Sequence, residues 1–176
     1  MNSVDSLESK SVRVRIAQRE DAEEITIVIN SAFRAAEGFY VERDRIDVGE
    51  VLSFLSSGKF LLAESERSLL GCVYVELRAA SQDRAYLGLL AVDPGRQQSG
   101  LGSLLMDAAE DHSRALVMRF MDIKVVNLRE ELAGFYSKRG YVETGISPFP
   151  AEVETKLSCH FIDMSKPLDA DKPRGR

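Results

Sequence analysis

Residues 92–105 read VDPGRQQSGLGSLL. An apolar run, AYLGLLAV (85–92), leads into this stretch, and an amphipathic run, SLLMDAAEDHSRAL (103–116), leaves it. The first reads as a strand and the second as a helix, so the turn between them delivers the chain to a helix N-terminus. The leading N–H groups of a helix have no intrahelical partner, and the helix dipole adds partial positive charge there. Gly100 and Gly102 carry no side chain to hold an anion away from those donors. Arg96 adds a full charge, and Gln97, Gln98 and Ser99 add neutral donors. The stretch therefore predicts a seat for a pyrophosphate-sized group over residues 97–103. Two familiar phosphate loops do not fit. A Walker A loop needs Gly-Lys-Ser/Thr, but Gly102 is followed by Ser103 and Leu104; a dinucleotide fingerprint needs a third glycine where Leu105 stands.

The rest of the chain bounds what such a seat serves. The sequence has 176 residues, 44% of them hydrophobic and 29% charged, with a formal net charge of -5. That balance is ordinary for a globular protein with one core and gives no general reason to bind nucleic acid or an anionic membrane. There is no apolar run long enough for a spanning helix, and MNSVDSLESKSVRVR lacks the apolar core of a secretory signal, so a cytoplasmic location is expected. Cys72 and Cys159 sit in apolar, strand-like runs far apart in sequence, and the only histidines are His112 and His160. No metal site is expected from that set.

Read along its length, the chain predicts an unstructured arm over 1–11, one domain over 12–168 and an unstructured tail over 169–176. Val12, Val14 and Ile16 alternate with arginines as in a half-buried strand. Next, EDAEEITIVINSAF (20–33) places Ala22, Ile25, Val28, Ile29, Ala32 and Phe33 at helical spacing. EGFYVERDRI (37–46) has no period and reads as a loop, and a short helix follows over 48–55. Strands are expected over 59–64, 69–77 and 84–92, a long helix over 100–118, a strand over 122–126, a helix over 130–139 and strands over 141–144 and 159–164. A loop with Pro148 and Pro150 separates the last two. This order describes a mixed α/β (α+β) sheet covered by helices.

Gln97-Gln98-Ser99-Gly100-Leu101-Gly102, after a strand ending in Val-Asp-Pro, fits Gln/Arg-x-x-Gly-x-Gly/Ala. It resembles the acetyl-CoA loop of the Gcn5-related N-acetyltransferase (GNAT) superfamily. LAGFYSKRGYVETG (132–145) is similar to that family's later motif, in which a helix bearing Phe-Tyr-x-x-x-Gly-Tyr/Phe leads into a strand. VVNLREEL (125–132) resembles the segment where the cofactor-side strand ends at an asparagine. The resemblance runs from Val12 to Met164 and implies a mostly antiparallel mixed sheet of about seven strands flanked by about four helices.

By that resemblance the backbone of Leu90, Ala91 and Val92 pairs with the pantetheine arm of acetyl-CoA, on a strand split from its neighbour by a bulge. Gly88 fits a point of close backbone approach. Gln97, Gln98, Ser99, Gly100, Leu101, Gly102 and Ser103 supply the pyrophosphate nest, and Asn127 hydrogen-bonds the pantetheine. The implied reaction is transfer of the acetyl group to a primary amine of a small molecule or peptide by direct attack. Tyr136 is then the general acid to the departing thiolate, and a backbone N–H of the bulged strand, such as that of Val92, faces the carbonyl oxygen. Phe135 and Tyr141 are expected to pack in the core or against the cofactor. Several relatives take the amine's proton with a carboxylate on the strand before the loop, and Tyr86 to Val92 contains none; Glu76 and Glu37 are the candidates left. The acceptor site falls to residues 33–46 and 147–160, where Phe39, Tyr40, Glu42 and Phe149 are candidate wall residues and Glu37 with Glu42 suit a cationic amine. Dimers are frequent among members, so a homodimer is compatible with the resemblance. Two further readings stay open: an acyl-CoA-binding regulator without turnover, and a binder of nucleotide phosphates.

Overall fold

The computed structural model describes residues 11–169 except Arg67 and Gln98. Most of the expected arm and tail thus lies outside the described residues. In chain order the elements are β1 (Arg13–Ile16), α1 (Ala22–Glu37), α2 (Val48–Ser57), β2 (Lys59–Ser65), β3 (Ser68–Leu77), β4 (Arg84–Val92), α3 (Leu101–Ala115), β5 (Phe120–Val126), α4 (Glu130–Lys138), β6 (Val142–Pro148) and β7 (His160–Pro167). The strands form one sheet in the order β1-β2-β3-β4-β5-β7-β6. Every pairing is antiparallel except β4 with β5. The architecture is the expected mixed, mostly antiparallel sheet of seven strands with four helices. No described helix is long and apolar enough to cross a membrane.

Strand alternation splits the core into two layers. Phe60 and Leu62 of β2, with Cys72 and Tyr74 of β3, pack under α1 and α2. Their alternates Leu61, Ala63, Val73 and Val75 pack under α3 and the Tyr136 end of α4. Five of the six apolar positions expected in α1 are buried, from Ala22 to Ala32; the sixth, Phe33, is half-buried. α2 begins in a capping box: Asp47 accepts from the Glu50 amide at 2.8 Å and Glu50 accepts from the Asp47 amide at 2.9 Å. Cys72 is fully buried, which pushes its thiol up to about 12.

Of the boundaries that depart from expectation, three have a clear physical reason or bear on the site. α1 runs on to Glu37, so that carboxylate stands on a helix end and not in a loop. α3 stops at Ala115 because Leu116 leaves helical backbone and Val117 turns left-handed, with φ 64°. Two apolar residues there continue the pattern and hide the stop. β6 extends to Pro148, which pairs with His160. β6 is an edge strand, so the missing proline N–H removes no ladder bond.

The parallel pairing of β4 and β5 is short: Arg84 to Tyr86 against Phe120 to Asp122. It is fastened at this end. Arg84 Nε donates to Asp122 Oδ2 at 2.9 Å, its Nη2 donates to Ser165 Oγ at 2.8 Å, and its guanidinium lies 4.7 Å from the Phe120 ring centre. Burial is the largest single influence and would raise the Asp122 carboxyl, but the hydrogen bonds from Arg84 and Ser165 and the charges of Arg84 and Arg78 together outweigh it and hold the group below its ordinary value. A depressed carboxylate stabilises the fold above its unfolded pKa and loses that contribution as pH falls through the folded value. Asp122→Asn should therefore lower the unfolding free energy by about 1–2 kcal/mol at pH 7. In urea titrations the gap to wild type should close as pH drops below about 4; a gap independent of pH would contradict this assignment.

Candidate active site

β4 changes its relation to the sheet half-way along. Tyr74 pairs with Gly88, yet Cys72 pairs with Ala91, so β4 carries one residue more than β3 over this span. Leu89 holds the bulge, with φ 50°. The extra residue inverts the faces that follow. Ala85 and Leu87 point under α3, whereas beyond the bulge Leu90 and Val92 do so and Leu89 and Ala91 turn under α1. Gly71 of β3 lies opposite, where a Cβ would stand 2.7 Å from the Ala91 carbonyl oxygen. Among the described residues, no strand pairs with the β5-facing edge of β4 past Tyr86. The two strands part, and a cavity of about 590 Å³ lies between Leu87–Val92 and Ile123–Val126.

At one end is the loop that joins β4 to α3. Asp93 Oδ1 accepts from the Gly95 amide at 2.8 Å, and the Arg96 amide bonds back to the Asp93 carbonyl at 2.8 Å, closing a tight turn. Gly100, with φ 81°, is the N-cap of α3 and supplies no side-chain cap, and the first turn of α3 carries no acid. Its leading N–H groups are left for an outside acceptor. A Cβ on Gly100 or Gly102 would meet nothing within 4 Å, so there is open space above the helix end. Arg96, Gln97, Gly100, Leu101, Gly102 and Ser103 line the cavity there.

Tyr136 lies on the cavity wall, 7% exposed, held edge-on between Phe135 at 5.2 Å and Tyr141 at 5.8 Å. Burial, with a smaller push from Tyr86, raises its phenol to about 12. Phe135 shares the wall, while Tyr141 is fully buried and donates to Glu110 Oε1 at 3.1 Å. Tyr86 also lines the cavity, and its ring fills the space a side chain at Gly88 would need, 2.9 Å from an added Cβ. The close approach expected at Gly88 is thus to this ring.

The far end is formed by the C-terminus of α1, the loop after it and residues 149–153. Glu37 lines it; burial raises its carboxyl above the usual range, against the pull of the Tyr40 hydroxyl, Arg45 and Arg129. Arg129 Nη1 stands 3.8 Å from Glu37 Oε1. Phe149 is on the wall, as expected. Three other candidates are not. Tyr40 is fully buried in a cluster with Val41 and Val126, Phe39 is exposed outside the cavity, and Glu42 points to solvent, 2.9 Å from Lys156. Glu76 accepts from the Tyr74 hydroxyl at 2.9 Å and is not on the cavity wall.

The structure brings together Leu90, Ala91, Val92, Gln97, Gly100, Leu101, Gly102, Ser103 and Tyr136 around one cavity. Ser99 lies beside it, its hydroxyl donating to the Arg96 carbonyl. Asn127 is off the wall: its Oδ1 accepts from the His160 amide at 2.8 Å and ties the end of β5 to β7. Gln98 lies outside the described residues. Tyr86, Arg45 and Arg129 are wall residues that sequence reading missed, since nothing distinguishes an arginine over a cavity from one in water. Among the described residues no three His, Cys, Asp or Glu side chains gather as metal ligands would.

The profile of the acetyltransferase (GNAT) domain matches residues 56–143, half of the chain, spanning β2 to the start of β6. The chain belongs to the GNAT acetyltransferase family. Solved structures agree on the fold. A GNAT acetyltransferase from Streptococcus pneumoniae is 21% identical, with TM-score 0.71 over 89% of this chain and 99% of that one. The ribosomal-protein-S18-alanine N-acetyltransferase of Escherichia coli is 14% identical, with TM-score 0.71 over 94% and 99%. A Salmonella typhimurium protein solved with its cofactor acetyl-CoA is 18% identical, with TM-score 0.69 over 93% and 98%. No protein of curated function matches this GNAT chain in sequence.

The space above Gly102 separates folding from ligand binding. Gly102→Glu removes a helix glycine and puts an acid in the first turn of α3, which favours the free fold. The same carboxylate occupies and repels the anion seat. Thermal unfolding of the free variant should match or exceed wild type, while its affinity for CoA falls by about tenfold or more, or 1.4 kcal/mol. Undiminished CoA affinity would show that the seat lies elsewhere.

Proposed function

We propose that this acetyltransferase moves the acetyl group of acetyl-CoA to a primary amine of a small molecule or peptide by direct attack. The observation that carries the reading is the parting of β4 from β5 over a cavity with an uncapped helix N-terminus at one end and Tyr136 on its wall. When bound, acetyl-CoA supplies the thioester carbonyl that the amine attacks. Leu101, Gly102 and Ser103 offer backbone N–H groups to its pyrophosphate, with Arg96 and Gln97 beside them, and Gln98 and Ser99 complete the loop. The unpaired edge of Leu90, Ala91 and Val92 takes the pantetheine amides as an added strand would. Asn127, at the end of β5 and tied to His160, is the side chain this reading assigns to the pantetheine arm.

The remaining work is proton transfer. Glu37 is the base in this reading, because it alone of the two candidate carboxylates lies on the cavity wall, and its raised pKa makes it the stronger acceptor of the amine proton. As the new C–N bond forms, the C–S bond breaks and the sulfur takes up negative charge. Tyr136, with its pKa raised to about 12, keeps its proton throughout the neutral range and donates it, or a hydrogen bond, to that sulfur. The Val92 amide faces the carbonyl oxygen. Acceptor chemistry aside, nothing in this scheme calls for a metal. We place the reaction in one domain over 12–168, located in the cytoplasm; a homodimer is compatible with it.

Thiol release from acetyl-CoA over a panel of amines tests the reading. Tyr136→Phe keeps the ring packing and should lower kcat by about a hundredfold or more with CoA affinity little changed. Wild-type kcat should fall as pH drops through the Glu37 pKa, since the base works ionised, and Glu37→Gln should be slower and lose that acid limb. Full activity in Tyr136→Phe, or an acid limb that survives in Glu37→Gln, would overturn the assigned roles.

A further inference from the structure

The charge of the cavity runs against that of the chain. The whole sequence carries -5, yet the ionisable side chains on the wall that bear cations are Arg43, Arg45, Arg96, Lys124 and Arg129, against the carboxylates Glu37 and Asp44. Most of these charges have partners. Lys124 Nζ is 3.0 Å from Asp163, Arg129 is shared between Glu131 and Glu37, and Asp44 is paired with Arg34. Arg96 stands at the loop end, beside the anion seat. Two guanidiniums remain at the acceptor end, Arg43 and Arg45, and neither makes an ion pair among the described residues.

Arg45 is the better placed. Its guanidinium lies 5.5 Å from the ring centre of Phe33, itself a wall residue, and its charge acts on both Glu37 and Tyr86. The acids of this region offset it only in part. Glu42 is turned outward to Lys156, Asp44 is paired with Arg34, and the single carboxylate Glu37 is shared between Arg45 and Arg129. The acceptor end thus offers one carboxylate and, beside it, more guanidinium charge than that carboxylate offsets. A polyamine or another purely cationic acceptor would bring its second positive charge against them.

Resting on the amine-acetylation reading above, we propose that the acceptor is a small amine that also carries a carboxylate, an amino acid in the simplest case. The amine lies at Glu37, the carboxylate is taken by Arg45 with Arg43, and the apolar remainder lies against Phe33, Val41 and Phe149. Arginine suits this task, because its planar fork matches a carboxylate with two parallel hydrogen bonds. The expectation that Glu37 and Glu42 together select a cationic amine is replaced, since Glu42 is not on the cavity wall.

The test compares the common α-amino acids, their carboxamides and the corresponding decarboxylated amines as acceptors, with acetyl-CoA fixed and thiol release as the readout. At least one amino acid should exceed both its carboxamide and its decarboxylated amine by about tenfold or more in kcat/KM. In Arg45→Gln that preference ratio should collapse toward one, with the change carried by KM. Arg45 is exposed, and matching unfolding midpoints for variant and wild type will confirm that the fold is kept. Equal use of the uncharged or cationic analogues, an unchanged ratio in Arg45→Gln, or CoA binding with turnover of no amino acid would each overturn the proposal. Thermal stabilisation by CoA, measured alongside, separates the two levels: its loss overturns the acetyltransferase reading itself, whereas its persistence with the wrong acceptor preference overturns the carboxylate alone.

Discussion

Leu89 holds left-handed backbone, φ 50°, in the middle of a strand, and the site depends on it. An L-residue there costs about 1–2 kcal/mol, so the surroundings must impose the conformation. They do so from both sides. The extra residue on β4 lets Leu90 and Val92 pack under α3 while Leu89 and Ala91 pack under α1, and Gly71 admits the Ala91 carbonyl at close range. At the other end of β4, Arg84 binds Asp122 and Ser165 and keeps β4 paired to β5 over three residues. A strand fastened at its start and redirected at its middle must leave its neighbour, and the cavity is the gap that results.

That geometry links the fold to the chemistry. The parted edge of β4 lines the cavity from Tyr86 to Val92. It leads directly into the turn at Asp93 and the open N-terminus of α3. α4, packed on the same layer, carries Tyr136 to the wall, and α1 on the opposite layer carries Glu37 to it. Anion seat, extended slot, phenol and carboxylate come from four elements that meet only because the sheet opens between β4 and β5.

The open N-terminus of α3 and the helical spacing of α1 could be read from residues alone, because glycines before an amphipathic helix and an i, i+3, i+4 pattern are local signals. Other features are not local. The bulge is carried by a leucine, and nothing in LGLLAV marks which residue takes the left-handed backbone. The stop of α3 is hidden by Leu116 and Val117, and the role of Gly88 depends on where the Tyr86 ring falls two residues earlier. Among the charged residues of 37–46, Glu37, Arg43, Asp44 and Arg45 line the cavity while Glu42 pairs outward with Lys156. That sorting is set by the end of α1 and by residues 149–153, more than a hundred positions away. Net charge was the least informative guide, since an acidic chain encloses a largely apolar cavity whose charged wall residues are mainly cationic.

Amide hydrogen exchange with and without CoA tests the central claim most directly, because the account assigns CoA to named backbone groups. Addition of CoA should slow exchange at Leu90 to Val92 and at Leu101 to Ser103, both flanking the opening, and leave the β1–β2 pairing unaffected. Protection confined to other elements, or no change at β4 and the start of α3 at saturating CoA, would contradict the account.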